Sequence, residues 1–578
     1  MTHAAIQRHE CRSDQPLDRP VRRHYPTMAG AILAAIDEEQ TDLALGYVRR
    51  MWLYAEDGTR NSHTYRELAS EGLRWAQWYR WAGVAQGEVV FIGLPMGLDY
   101  IGALLGCILL GALPCTVPFG TDLEASAGAL NNTVAAYRRI GPRFLITTAS
   151  AVAQLREKAL IPESVPVHVP ATERRRELPR ALLPEILPTN INHIQLTSGS
   201  TGAPKGAVLT HQAVTTNIDS VVAAMQGHVP TDAGACWLPM YHDMGLMQLL
   251  MVVYQRAEMV LQSSSSFLRN PMRWLERIHE HRVTMAAAPA FAFTYCVRRY
   301  RSDVASKLDL SCWRIAGVGA ERVEHRVLRD FYARFSPHGF PADSFRNCYG
   351  MAEAGFAVSM PARGRSVHED SEPVPSVGSP VAGMDFQVRG PDGRELADGE
   401  EGELFMRGSS LMSGYFGDEL ATANQFDGEW FRTGDLGYSR DGAFYILGRC
   451  KELVILGGCN YHPQVFEQCI AGDPDVGMHR SVALGVYREV SGTESLVLII
   501  EPRVVRGLTA LRARLQARLR AQFGFGASEI VFLQSGGIPR TTSHKAQRDA
   551  SRQMYEAGQL RALSEREPIS STMENVGT

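Results

Sequence analysis

The residues best suited to chemistry lie in Leu196 to His211, LTSGSTGAPKGAVLTH. Ser198 to Ala203 hold two glycines and three hydroxyls, and Lys205 follows after Pro204. Backbone N–H groups left open by glycine, the hydroxyls of Thr197, Ser198, Ser200 and Thr201, and one ammonium can together surround a polyphosphate. The stretch is not a Walker A loop, because Lys205 is followed by Gly206 rather than by Ser or Thr. Taken alone, a Gly/Ser/Thr segment is more often a flexible turn. Its meaning depends on what else the chain carries.

Further polar strings follow in order: Tyr349-Gly350-Met351-Ala352-Glu353 (YGMAE), Gly402 to Gly408 (GELFMRG), Gly414-Tyr415, Thr433-Gly434-Asp435, Gly448-Arg449-Cys450-Lys451, and Pro539 through Lys545 (PRTTSHK). Glu353 offers the carboxylate that a hard divalent cation prefers beside phosphate oxygens. Asp435 is an acceptor-only group able to take two hydroxyls. Singly, each is an ordinary surface charge or turn.

Their order is informative. The string TSGSTGAPKG resembles the phosphate loop of the adenylate-forming superfamily, which includes acyl-CoA synthetases, luciferases, peptide-synthetase adenylation domains and fatty acyl-AMP ligases. The downstream motifs match in the expected sequence, so the resemblance runs from about Tyr54 to Arg548. It implies that a carboxylic acid attacks the α-phosphate of ATP to give acyl-AMP and pyrophosphate. The protein's task in such a reaction is mainly to position reactants and neutralise developing charge. The resemblance assigns Thr197, Ser198, Gly199, Ser200, Thr201, Gly202 and Lys205 to the phosphates, and Glu353 to Mg²⁺. It places Gly319, Ala320 and Glu321 along the adenine, with Tyr349 stacking on the base and Gly350, Met351 and Ala352 beside it. Asp435 and Arg449 would hold the ribose. Lys545 would bridge acid and α-phosphate from a C-terminal domain that closes and then rotates about Lys451.

Within the superfamily, Trp237 to Leu246 (WLPMYHDMGL) looks like the fatty acyl-AMP ligase form of the segment that ends the acyl pocket. Trp237, His242, Asp243 and Met244 are its candidate pocket residues. Ala352, where many relatives have Thr, and Asn460 to Gln464 point the same way. Such ligases pass the acyl group to the phosphopantetheine thiol of an acyl carrier protein, a chemistry of lipid, polyketide and nonribosomal peptide biosynthesis. The expected partners are therefore a fatty acid and a carrier protein, with ATP and Mg²⁺ as cofactors.

Three departures bear on the details. Only Ala354 to Ser376 separates YGMAE from Val377-Gly378, where these ligases are expected to carry a restraining insertion, so CoA stays open as the acceptor. Ala286-Ala287-Ala288 stands where Gly-Gly is expected, and added methyl groups fill a tunnel, implying a shorter or differently shaped acyl chain. His544 precedes Lys545 where Gly is usual, and His lacks glycine's backbone freedom. Rival readings are an acyl-CoA or aryl-CoA ligase, then an amino-acid-adenylating enzyme, then an inactive adenylate-binding protein.

The elements that must position these groups form an α/β pattern. Buried-strand runs such as Glu88 to Leu94 and Arg143 to Thr147 alternate with helical patterns such as Pro271 to His279. After about Val377 the texture becomes short strands with Gly and Asp turns, and beyond Lys451 a mixed pattern returns, with a basic amphipathic helix at Leu508 to Phe523. The expected organisation is a disordered N-terminus (1–24), a large AMP-binding domain of α/β sheets (25–448) containing a small β-rich subdomain (about 377–448), a hinge (449–451), a small mobile α+β C-terminal domain (452–560) and a disordered tail (561–578).

Composition narrows the class. With 578 residues, 45% hydrophobic and 21% charged, the chain can build a large core. A net charge of -3 gives no field for nucleic acid or anionic membrane. Ten scattered cysteines without a CxxC pair suit free thiols in a reducing compartment. The first 25 residues are charged and lack a signal-peptide apolar region, so a cytoplasmic location is expected. Tyr100 to Phe119 has the apolarity of a membrane span, but Pro114 and Pro118 interrupt it, and a buried helix running into a buried strand needs the same residues. Stable membrane insertion is not expected.

Overall fold

The computed structural model describes residues 23–39, 49–118, 127–157, 166–170, 176–197, 204–227, 231–362, 372, 374–456, 459–477, 479–488, 493–504, 506–540 and 546–563. The expected disordered ends fall almost wholly outside these ranges.

The helix Tyr65–Trp81 begins where its sequence says it should. Thr64 accepts from the Glu67 N–H at 3.2 Å while Glu67 accepts from the Thr64 N–H at 2.8 Å, a reciprocal cap. One face of this helix packs on Leu98–Leu110, and small residues allow the close approach: a Cβ at Gly102 would lie 2.5 Å from the Trp75 ring, and one at Gly106 would lie 2.6 Å from the Trp75 Cβ. The helix Leu98–Leu110 stops at Gly111, whose φ of 69° is left-handed, and the chain enters the strand Leu113–Thr116, with every residue from Tyr100 to Thr116 buried. The apolar run is thus core. No helix among the described residues is long and apolar enough to cross a membrane. Pro114 costs the sheet nothing, because its strand lies at an edge.

Two parallel sheets carry the large lobe. In one, Leu113–Thr116, Val89–Gly93, Phe144–Thr147 and Val167–His168 lie side by side. In the other the order is Phe345–Asn347, Ile315–Gly319, Met285–Pro289, Ala233–Cys236, Glu258–Gln262 and Arg50–Tyr54, all parallel, with Arg60–Thr64 added antiparallel at the edge. Central strands such as Val89–Gly93 and Ile315–Gly319 are apolar and buried at every residue, as strands covered on both faces are. A small antiparallel sheet, Ile191–Leu196, Gly206–Thr210 and Gly414–Tyr415, joins the lobe to a β-rich region. That region is built on Met384–Arg389, Gly402–Gly408, Trp430–Arg440 and Ala443–Arg449.

Beyond Lys451, Ser481–Arg488 and Thr493–Ile500 pair antiparallel, and Glu529–Phe532 joins parallel. The helix Leu508–Phe523 buries Leu508, Leu511, Leu515 and Leu519 at helical spacing against this sheet and turns its arginines outward. Each such leucine contributes about 1.5–3 kcal/mol of burial, which accounts for its apolar stripe without a membrane.

Candidate active site

The glycine-rich string is the connection of a β-hairpin. Leu196 pairs with Gly206, and the Thr197 N–H donates to the Lys205 carbonyl at 2.8 Å, closing the loop's base. Ser198, Gly199, Ser200, Thr201 and Gly202 lie outside the described residues. Gly206 is required by packing, since a Cβ there would fall 2.6 Å from Ile194 Cγ2.

Glu353 sits on a short 3-10 turn, Ala352–Ala354, after the two-residue strand Tyr349–Gly350. A Cβ at Gly350 would overlap the Phe356 carbonyl oxygen at 1.6 Å, so the turn tolerates no side chain there. The Glu353 Oε1 accepts from the Tyr415 hydroxyl at 2.8 Å. Burial holds its carboxyl above the usual carboxylate range; the Tyr415 hydrogen bond and Arg449 act against that shift, and Asp243 adds to it. Among the described residues, Glu353 is a part-buried acid with no ion-pair partner. Over the ring of the same Tyr415, the Lys205 ammonium lies 4.5 Å from the centroid.

Asp435 and Arg449 form the second cluster. Arg449 Nε pairs with Asp435 Oδ1 at 2.8 Å, Arg449 Nη1 donates to the Thr433 carbonyl at 3.2 Å, and the Tyr349 hydroxyl donates to Asp435 Oδ2 at 2.6 Å. Burial first, and the neighbouring carboxylate second, raise the Tyr349 phenol well above its ordinary value, so it stays a donor. Asp435 likewise raises the Arg449 guanidinium, more than burial lowers it.

The segment expected along the adenine, Gly319-Ala320-Glu321, begins at the end of the strand Ile315–Gly319. A Cβ on Gly319 would lie 2.5 Å from the Cys348 carbonyl, which brings this strand end against Tyr349. Ala320 has a left-handed φ of 62°, a local strain beside the site. Glu321 turns toward the acyl segment: its Oε1 accepts from the Phe291 N–H at 2.8 Å, at the start of the helix Ala290–Arg298.

In the candidate acyl pocket, Trp237 stacks on Phe267 with centroids 3.7 Å apart and meets Phe291 edge-on at 6.0 Å. His242 is the cap residue of the helix Asp243–Gln255, where Asp243 Oδ1 accepts from the Met244 N–H at 2.7 Å. Met244 is buried. Gln195, on the strand leading into the glycine-rich string, donates to the Tyr241 carbonyl at 2.9 Å and ties the two segments together. Ala286 and Ala288 are buried in the strand Met285–Pro289, while the half-buried Ala287 faces Gly317 across the ladder.

Lys451 is exposed in the turn Cys450–Glu452. Lys545 and His544 lie outside the described residues. What flanks them is held firmly: Arg540 and Ala546 form a β-bridge, and Arg548 pairs with Glu467 and with Glu452, the residue after Lys451, at 2.8 Å each.

Sequence reasoning named Gly414-Tyr415 as part of a motif but gave Tyr415 no role, and it missed Gln195 and Arg548. Their partners are distant in sequence, and nothing local marks them.

A sequence model of the AMP-binding enzyme family matches residues 43–416. The chain is 27% identical over 577 residues to the medium-chain-fatty-acid–[acyl-carrier-protein] ligase JamA of Moorena producens, covering 90% of this chain and 95% of that protein. It is 32% identical over 530 residues to the 4-hydroxyphenylalkanoate adenylyltransferase of Mycobacterium tuberculosis, covering 82% and 83%. Among solved structures it resembles a fatty acyl-adenylate ligase from work on the E. coli and L. pneumophila enzymes, with a TM-score of 0.80 and 27% identity over 92% of this chain and 98% of that one. McyG A-PCP, complexed with phenylalanyl-adenylate, gives 0.83 at 21% identity, covering 93% of this chain and 84% of that one, a likeness of fold.

Proposed function

Because the chain belongs to the AMP-binding enzyme family, we propose that it is an adenylate-forming ligase that converts a fatty acid and ATP to acyl-AMP and pyrophosphate. It then transfers the acyl group to the phosphopantetheine thiol of an acyl carrier protein. The observation that carries this reading is the convergence, around the base of one hairpin loop, of a lysine, a part-buried carboxylate and a tyrosine-bound Asp–Arg pair. Relatives named as an acyl-carrier-protein ligase and as an adenylyltransferase, each matched over four-fifths of its length or more, support it.

In the first half-reaction a carboxylate oxygen bonds to the α-phosphorus as the bond to the bridging oxygen breaks, and pyrophosphate leaves with the electron pair. Lys205 and the hydroxyls of the loop hold the β- and γ-phosphates. Asp435 and Arg449 fix the ribose, and Tyr349 lies along the base. Lys545 neutralises charge between the acid and the α-phosphate. Glu353 fits Mg²⁺ of the kind that keeps phosphate oxygens as most of its ligands: it is one part-buried carboxylate, and no three His, Cys, Asp or Glu gather into a cage among the described residues. When bound, the ion neutralises the polyphosphate. In the second half-reaction the thiol sulfur attacks the acyl carbon, AMP leaves, and the thiol proton passes to solvent. The lobe after Lys451 turns between the two steps, with residues 449–451 as the hinge.

A second acid class is favoured by the aromatic lining. Trp237, the first residue of the segment expected to end the acyl pocket, packs against Phe267 and Phe291, and the relative at 32% identity is named for 4-hydroxyphenylalkanoates. The test is ATP–pyrophosphate exchange across alkanoic and arylalkanoic acids, followed by mass spectrometry of the product formed with CoA or with a holo carrier protein. Absence of exchange with every acid overturns the reading; an acyl-CoA product transfers it to the CoA ligases.

A further inference from the structure

Tyr415 stands between Lys205 and Glu353 and touches both. Its hydroxyl donates to Glu353 Oε1 at 2.8 Å, and its ring face lies under the Lys205 ammonium at 4.5 Å. The backbone around it is tied to the same two partners. Tyr415 pairs with Ala207, the Phe416 N–H donates to the Gly206 carbonyl at 2.8 Å, and the Met412 N–H donates to the carbonyl of Glu353 itself at 2.7 Å. Thr422 fixes the tyrosine from behind, its Oγ1 accepting from the Tyr415 N–H at 2.9 Å.

We propose that Tyr415 is a positioning residue that sets the Lys205 ammonium and the Glu353 carboxylate at the spacing MgATP requires. The assignment rests on reading this cluster as the ATP site. The physical logic lies in what each contact leaves open. A hydroxyl on Oε1 orients the carboxylate and leaves Oε2 for a cation. A ring face holds an ammonium by its quadrupole without cancelling its charge, so the lysine keeps its full attraction for phosphate. A carboxylate at position 415 would neutralise the lysine, and an aliphatic side chain would orient neither group.

The test compares the wild type with Tyr415→Phe and Tyr415→Leu by calorimetric titration of ATP, first in EDTA and then across a Mg²⁺ series, with thermal melts alongside. Tyr415→Phe keeps the ring and loses the hydroxyl. Its metal-free ATP affinity is expected within about twofold of wild type, while the Mg²⁺ concentration giving half-maximal enhancement rises about three- to tenfold, the scale of one ordinary hydrogen bond. Tyr415→Leu is expected to weaken metal-free ATP binding about fivefold as well, the cation–π contact being lost. An unchanged Mg²⁺ response in Tyr415→Phe overturns the assignment, as do equal losses in both variants that follow a lowered melting temperature. A wild type that binds MgATP but exchanges no pyrophosphate overturns the ligase reading alone, since the binding comparison still decides Tyr415. A wild type that binds no ATP overturns both.

Discussion

Asp435 and Arg449 face each other across an antiparallel ladder, and their side chains pair at 2.8 Å. The Asp435 side chain is 8% exposed, whereas that of Arg449 is 54% exposed, so the carboxylate is the fixed member and the guanidinium the accessible one. Tyr349 holds the other oxygen. The carboxylate is thus oriented before any nucleotide arrives, and the strand that orients it ends two residues before Lys451. The residue that pairs with Asp435 thus lies two positions from the proposed hinge residue Lys451.

Replacing Asp435 with Asn keeps the shape and removes the charge. The expected outcome is a rise in the KM for ATP of about 10- to 100-fold, corresponding to about 1.4–2.8 kcal/mol, with the KM for the acid nearly unchanged. Asp435→Ala should be worse and should also lower stability, since it removes the carboxylate acceptor of the buried Tyr349 hydroxyl, a hydrogen bond to a charged group worth about 1.5–3 kcal/mol. Pyrophosphate exchange at varied ATP, with a melt of each variant, separates the two effects. Equal KM values for Asn and wild type would remove Asp435 from the nucleotide site.

The Lys545 assignment makes a claim about one half-reaction only. Lys545→Ala is expected to slow adenylation about 100- to 1000-fold, the scale for losing one charge stabiliser in a transition state, and to leave acyl transfer from synthetic acyl-AMP within a few-fold of wild type. Comparable losses in both steps would mean that the residue supports the lobe rather than the adenylation chemistry.

Ala287 makes the acyl claim testable. It is the half-buried member of the triplet, and its neighbour across the ladder is Gly317, whose Cβ, if present, would lie 2.8 Å from that of Ala287. Ala287→Gly should move the preferred chain toward longer acids, and Ala287→Val toward shorter ones, by about one to three carbons each. In the wild type, a chain-length series that peaks at about fourteen carbons or beyond would contradict the filled-tunnel reading.

What could be read from the sequence divides by range. The motif strings are local, so Lys205, Glu353 and Asp435 could be named from the ordered strings' resemblance to a known family. The run Tyr100 to Phe119 could be judged from its prolines, and Leu508 to Phe523 from its period. The contacts that organise these groups are not local. Tyr415 could be seen as half of a Gly-Tyr string, but that its hydroxyl meets Glu353 follows from pairing Gly414–Tyr415 with the strand after the phosphate loop. Tyr349 was expected against the base, yet its hydroxyl lies on Asp435, a partner 86 positions away that no periodicity reveals.

A last long-range cluster gives the fold a pH dependence. His193 and His211, fully buried, flank the phosphate hairpin and share Asn192: His193 Nδ1 lies 2.9 Å from Asn192 Oδ1, and Asn192 Nδ2 lies 3.1 Å from His211 Nδ1. The Met28 N–H also donates to His211 Nδ1, which makes that nitrogen an acceptor and places the ring proton on Nε2. Neither ring has a place for a second proton's charge, and burial lowers His193 to about 3 and His211 to about 4 from the ordinary 6.5. Below pH 6.5 the unfolded chain takes up protons that the folded chain refuses, so stability is full above that value and falls as the pH drops toward 4. At about pH 5 each histidine should have removed about 2 kcal/mol. Urea unfolding followed by tryptophan fluorescence should show the midpoint falling between neutral pH and about pH 5, and His211→Gln should lessen that fall by up to about a third, because burial lowers His281 to about 4 as well. An unchanged slope in the variant would assign the acid sensitivity to other groups.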